Sequence, residues 1–117
     1  VGYIAKNKDN GVVLSNTIAE KYGFPLEYLL KILQQLVRAN ILKSKRGPRG
    51  GFSMAKPLNK ITMLDIVEAV DGPMNSTLAL DEFAGKEKFA SKATKAYDKV
   101  LSQTKAGYKK IKMSDLV

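Results

Sequence analysis

Leu42-Lys43-Ser44-Lys45-Arg46-Gly47-Pro48-Arg49-Gly50-Gly51-Phe52-Ser53-Met54-Ala55-Lys56 is the stretch that decides the fold. Two short strand-like runs flank a turn built from Gly47, Pro48, Gly50 and Gly51, with an arginine on each side of Gly47-Pro48. Pro48 pre-sets one backbone dihedral and the glycine pair reaches angles closed to other residues, so the segment reads as a β-hairpin. From Lys43 to Lys60 the chain holds six basic residues and no acidic one, which makes the hairpin cationic. Residues 25 to 40, just upstream, read as a strongly amphipathic helix with a further helical segment in front of it. Helix, turn, helix and basic hairpin is the order of a winged helix. The expected fold class is mostly α with a small β-hairpin: a winged helix-turn-helix DNA-binding domain followed by a long C-terminal dimerisation helix.

Working outward, the helix before the hairpin carries Leu26, Leu29, Leu30, Ile32, Leu33, Leu36 and Val37 at three- and four-residue intervals. Leu29, Ile32, Leu33 and Leu36 are expected in the core, leaving Glu27, Tyr28, Lys31, Gln34, Gln35 and Arg38 on the other faces. Such polar residues on an isolated helix would be a solvated surface; the basic hairpin that follows makes a groove-reading face the better account. Phe24-Pro25 starts this helix, with Pro at a first-turn position where its missing N–H costs nothing. Upstream, Ser15 is placed to cap a shorter helix in which Ile18 and Ala19 face inward and Tyr22-Gly23 closes the end. Val12-Val13-Leu14 reads as a short extended run, and residues 1 to 8 as the last turns of an apolar helix whose beginning lies before Val1.

Downstream, residues 57 to 60 read as a linker. Thr62 and Asp65 have capping-box spacing and open a helix with Ile66, Val67 and Val70 inward, which Asp71-Gly72-Pro73 stops. Residues 74 to 85 form a connecting or effector segment, with a short helix expected over residues 78 to 83. From residue 86 to about 104 the period is helical again, and Phe89, Ala93, Ala96, Tyr97, Val100, Leu101 and Thr104 form one stripe beside Lys88, Lys92, Lys95 and Lys99. That stripe must be buried, either on its own domain or, as we prefer, against the same helix of a second copy. Gly107 is expected to end the helix. The chain thus divides into residues 1–73, 74–85 and 86–117.

At 117 residues and 44% hydrophobic the chain suffices for one compact core. Its formal charge of +9 favours a polyanionic partner, and double-stranded DNA is expected. Charge is also segregated. Residues 61 to 85 carry five acids and no base, whereas residues 86 to 112 carry nine lysines against Glu87 and Asp98. A uniform lysine coat does not explain the acid-free run around Arg46. No apolar run approaches the roughly 20 residues of a membrane span and no signal-peptide pattern opens the chain, so no membrane partner and a cytoplasmic location are expected. With no Cys and no His, disulfides and the common zinc and haem ligand sets are excluded and only oxygen ligands remain, so no metal site or cofactor is expected.

These residues resemble the winged-helix transcriptional regulators of the IscR/NsrR/CymR family. The carriers are Ile18-Ala19 before Gly23, Tyr28-Leu29 with Leu33 and Leu36, Ala39-Asn40-Ile41-Leu42, Arg46-Gly47-Pro48 with Gly50-Gly51-Phe52, and the run from Ile66 to Gly72. The resemblance covers Leu14 to Gly72. It implies that residues 25 to 38 form the recognition helix, that Arg46 is the wing arginine that reaches into the minor groove, and that residue 86 onward forms the dimerisation helix. It also implies that the chain begins inside the family's first helix. Leu30 stands where the iron–sulfur regulator carries a base-reading glutamate, and the three cluster cysteines that some members carry between positions 73 and 91 are absent. An iron–sulfur cluster needs thiolate or imidazole ligands, so members that lack the cluster are the closer comparison.

The expected DNA-contacting residues are Pro25, Glu27, Tyr28, Lys31 and Gln34 on the helix and Lys43, Lys45, Arg46, Gly47, Arg49 and Lys56 on and beside the hairpin. The expected homodimer interface is Phe89, Ala93, Ala96, Tyr97, Val100 and Leu101. The expected function is that of a dimeric repressor binding a palindromic operator without a cluster, with an effector, partner protein or small molecule, acting on residues 73 to 85. The alternative is a winged-helix module for architectural nucleic-acid binding or protein contact. No enzyme is expected: there is no Gly-x-Ser-x-Gly elbow and no phosphate-binding Gly-x-x-x-x-Gly-Lys loop, and a turn accounts for Gly50-Gly51.

Overall fold

The computed structural model describes residues 1–7, 11–47, 50–74 and 88–116. The expected short helix over residues 78 to 83 lies outside them. Among the described residues five α-helices and one hairpin follow in the order α1 (Gly2–Lys6), α2 (Ser15–Tyr22), α3 (Leu26–Arg38), β1 (Leu42–Lys45), β2 (Gly51–Met54), α4 (Met63–Asp71) and α5 (Lys88–Lys110). Residues 57 to 60 are not a plain linker, because Leu58–Lys60 form a 3-10 turn.

The core gathers one apolar face from each element. Ile4 of α1, Ile18 and Ala19 of α2, and Leu29, Leu33 and Leu36 of α3 are buried with Val13, Ile41, Leu42, Ile61 and Met113. Ile32 is half-buried against that cluster rather than inside it. Removing any of the fully buried leucines to Ala would cost about 2–5 kcal/mol. Gly23 ends α2 in the left-handed conformation, and its N–H region turns the chain directly into α3. Ser15 does not cap α2 as expected. It is the first helical residue, Leu14 holds the cap position, and no side chain caps the helix.

The wing is a two-stranded antiparallel sheet in which Leu42 faces Met54 and Lys45 faces Gly51. Val13 pairs with β2 through an isolated antiparallel bridge at Phe52. The Val13 N–H donates to the Phe52 carbonyl and the Val13 carbonyl oxygen accepts the Phe52 N–H, both at 2.8 Å. A Cβ on Gly51 would lie 2.7 Å from the Val13 carbonyl oxygen, so this close approach requires glycine.

At α4 the capping box forms: the Thr62 hydroxyl accepts the Asp65 N–H at 3.1 Å, and Asp65 Oδ2 accepts the Thr62 N–H at 2.9 Å. Gln35 ties α3 to α4 by donating to the Val70 carbonyl at 3.3 Å. Helix α5 runs straight through Gly107 to Lys110. A glycine costs a helix about 1 kcal/mol relative to Ala, and here the tail beyond it is anchored strongly enough to offset that. Met113 is buried in the core and donates its N–H to the Ile61 carbonyl at 2.8 Å, while the Met63 N–H donates to the Ile111 carbonyl at 2.8 Å.

The paired segments share a pattern that spacing analysis did not detect. Ile61-Thr62-Met63-Leu64-Asp65 and Ile111-Lys112-Met113-Ser114-Asp115 both read Ile-x-Met-x-Asp. In each, the Asp carboxylate accepts the N–H three residues earlier, at 2.9 Å for Asp65 and 3.3 Å for Asp115. The two copies meet antiparallel at Thr62 and Lys112. The C-terminal segment is therefore a structural part of the winged-helix domain.

Candidate nucleic-acid interface

Helix α3 turns Leu29, Leu33 and Leu36 inward, and the period of 3.6 then places Glu27, Lys31, Gln34 and Arg38 on one exposed stripe, four, three and four residues apart. The stripe is about 16 Å long at 1.5 Å per residue. Only its C-terminal half borders an open cleft of about 630 Å³ whose other wall is the wing. Gln34 and Arg38 line it from α3, Lys45, Arg46 and Gly47 from the hairpin, and Ser15 from the start of α2. Leu14, Val37 and Phe52 supply an apolar floor. Among the described residues that line this cleft none is acidic. Tight backbone geometry holds the wing tip in place: Gly47 has φ +106° and its carbonyl accepts the Gly50 N–H at 2.9 Å, and a side chain on Gly50 would strike the Lys45 carbonyl oxygen.

The expected contact residues separate into groups. Lys31, Gln34, Lys45, Arg46 and Gly47 are exposed on the α3 and wing side of the molecule. Lys43 is exposed two residues before Lys45 on the same face of β1 but does not line the cleft. Pro25 and Glu27 are exposed at the start of α3. Tyr28 stands on a different side of that helix, at an apolar groove it shares with Tyr3, Tyr22 and Phe24. There Tyr22 stacks on Phe24 at 5.7 Å and Lys21 Nζ sits 4.7 Å above the Tyr3 ring. Lys56 lies apart from the cleft, in a small depression with Asp65 and Glu68. Arg49 falls outside the described residues. Arg38 and Ser15 were not among the expected contacts, although the four-residue step from Gln34 to Arg38 was a usable signal.

Helix α5 presents three faces. Thr94, Asp98, Leu101, Lys105 and Tyr108 are half-buried and recur at four- and three-residue steps, marking the side turned toward α4. Phe89, Ala96 and Val100 are exposed, with Phe89 at 78% and Val100 at 61%. Lys88, Lys92, Lys95 and Lys99 form the third face. The stripe expected to act as one surface is thus divided: Leu101 lies on the inward face, Ala93 is half-buried, and Tyr97 is 41% exposed between the two.

A family model described as Rrf2, iron-dependent transcriptional regulator, matches residues 1–117. The chain belongs to the Rrf2 family. Relatives carry matching names: the HTH-type transcriptional regulator BadM of Rhodopseudomonas palustris is 37% identical over 90 residues, which are 77% of this chain and 55% of that protein. The HTH-type transcriptional regulator IscR of Cronobacter sakazakii is 31% identical over 74 residues, 63% of this chain and 46% of that protein. The chain spans about half the length of the curated relatives it matches. Among solved structures, CymR, the global cysteine regulator of Bacillus subtilis, superposes with a TM-score of 0.72 at 23% identity, covering 97% of this chain and 84% of CymR. IscR of T. potens gives 0.68 at 23% identity, over 97% and 74%. Both share the winged-helix fold.

This Rrf2 chain therefore has the winged-helix fold, in a family described as transcriptional regulators and not as enzymes. Ser53 with Lys56 and Ser102 with Lys105 have the Ser-x-x-Lys spacing of some hydrolases, and of the first pair only Lys56 lines the depression beside α4. Iron appears in the family's description, and these 117 residues do not fit an iron–sulfur cluster. They offer no thiolate or imidazole, and among the described residues no three carboxylates converge. Among those residues, too, no helix is long and apolar enough to cross a membrane.

Proposed function

We propose that the protein is a dimeric, sequence-specific repressor that binds a palindromic operator without a bound cluster. The observation that carries this reading is the cleft between the end of α3 and the wing, whose described lining carries Arg38, Lys45 and Arg46 and no acid. A helix with Lys31 and Gln34 exposed fits the major groove, where each base pair presents a distinct donor and acceptor pattern. Across the cleft, the Arg46 guanidinium suits a narrow minor groove, because it is weakly hydrated and drawn to the enhanced negative potential there. Lys43, Lys45 and Arg49 serve as phosphate contacts.

The exposed Phe89, Ala96 and Val100 on α5 support a second copy as the covering partner, since small residues between larger apolar ones let two helices approach closely. Two-fold symmetry then matches two half-sites about 34 Å apart or a multiple of it. Occupancy of an operator that overlaps a promoter excludes polymerase by sterics alone, so repression needs no further surface. Residues 73 to 85, between α4 and α5, are the segment on which an effector acts.

Binding-site selection with the purified protein, followed by footprinting, tests this reading. A palindromic protected site is the expected result. Uniform coverage without sequence preference would overturn it in favour of an architectural nucleic-acid binder.

A further inference from the structure

We infer that Glu27, in the first turn of α3, fixes the identity of one operator base: its carboxylate accepts a hydrogen bond from the 4-amino group of a cytosine in the major groove. The inference rests on the reading of α3 as the helix that enters that groove and adds a base identity that the reading does not contain.

Charge singles out Glu27. It is the one acid in α3, and it stands on the same exposed stripe as Lys31, Gln34 and Arg38. Every phosphate repels a carboxylate, so an acid on such a face weakens binding unless it meets a hydrogen-bond donor. The sugar–phosphate backbone of DNA offers none. In the major groove two groups donate, the 4-amino group of cytosine and the 6-amino group of adenine. Adenine sets its N7 acceptor beside that amino group, which repels a carboxylate and suits an amide, whereas the cytosine edge carries no acceptor there. The chemistry therefore selects cytosine.

Placement on the helix agrees. Glu27 lies eleven residues before Arg38, about 16 Å along the axis, and it does not line the basic cleft. Its carboxylate is not spent on the helix end either: Pro25 holds the N-cap position and no side-chain hydrogen bond caps the helix. Leu26, exposed, and Leu30, half-buried outside the core cluster, flank it one residue before and three after. Apolar neighbours strengthen a hydrogen bond by lowering the local dielectric. The structural alternatives are that Glu27 only complements the helix dipole or only supports Lys31 four residues on.

The test is binding-site selection with the full chain, native and Glu27→Gln, followed by titration of single-base variants of the selected operator. The native protein should select cytosine at one position of each half-site, and its exchange for thymine should weaken binding at least about tenfold. Glu27→Gln should select adenine there, because an amide donates to N7 and accepts from the 6-amino group, with the other positions and the salt dependence unchanged. Glu27→Ala should select no base at that position and bind scrambled DNA no more weakly than the native protein, since a repelled charge is gone. Replacing the cytosine by 2-pyrimidinone, which lacks the 4-amino group, should cost the native protein about tenfold more than the Glu27→Ala protein. The same selected base in the native protein and both variants would overturn the inference and leave Glu27 as a helix-end acid, with operator binding intact. A native preference for adenine at that position would overturn it too. A native protein that selects no sequence at all would instead overturn the sequence-specific reading itself.

Discussion

Met113 and Ile61, fifty-two positions apart in sequence, are joined by a 2.8 Å hydrogen bond from the Met113 N–H to the Ile61 carbonyl, and both side chains are buried. This junction fastens the end of α5 to the start of α4.

Met113→Ala should consequently destabilise the whole domain, by about 2–5 kcal/mol as for other large-to-small core changes. Lys112→Ala, at an exposed side chain in the same pairing, should cost within about 0.5 kcal/mol. Urea unfolding of the two variants checks this. Equal costs would mean that the tail is held by its backbone bonds and not by the buried side chain.

Thr62→Ala removes the hydroxyl that accepts the Asp65 N–H, and its expected cost is about 0.5–2 kcal/mol. Thr62→Ser should retain most of the native stability. A thermal melt that ranks Ser with Ala would show that the Thr methyl group matters more than the cap.

Arg46→Ala should cost about 1–3 kcal/mol on the operator and much less on scrambled DNA, because readout of groove shape is lost together with a charge. Lys45→Ala should weaken both duplexes alike and flatten the salt dependence by about 0.9. Titrations at several salt concentrations decide between them. Equal losses for Arg46→Ala on the two duplexes would make the wing an electrostatic anchor only.

On α5 the informative pair is Phe89→Glu with Val100→Glu, since both side chains are exposed and neither belongs to the face turned toward α4. Sedimentation should show monomers. A charge at Leu101 would be a poorer probe because Leu101 is half-buried on the inward face. A dimer that survives the double change would place the interface elsewhere.

Exhaustive treatment with a metal chelator should leave operator affinity unchanged, and the purified protein should show no cluster absorption band. The 117 residues contain no thiolate or imidazole to hold iron. Loss of binding on chelation, measured by the same titration, would contradict this.

Local physics made much of this molecule legible from its sequence. The leucine period of α3 follows from 3.6 residues per turn, the hairpin from Pro and Gly dihedral limits, and the α4 capping box from a three-residue spacing; all three are short-range and need no knowledge of what lies opposite. The acid-free charge around Arg46 was equally visible. Contacts between distant segments were decided by the tertiary structure alone. Val13 bridges to Phe52 only because Gly51 leaves room for it, and the segment after α5 docks because Met113 finds a place in the core beside Ile61, 52 residues back along the chain. A stripe that reads as one face of α5 is split because α4 covers only the side that includes Leu101. Arg38 joins the candidate site, and Lys56 leaves it for the neighbourhood of Asp65 and Glu68, because burial and cleft geometry depend on how the elements pack, which no local spacing encodes.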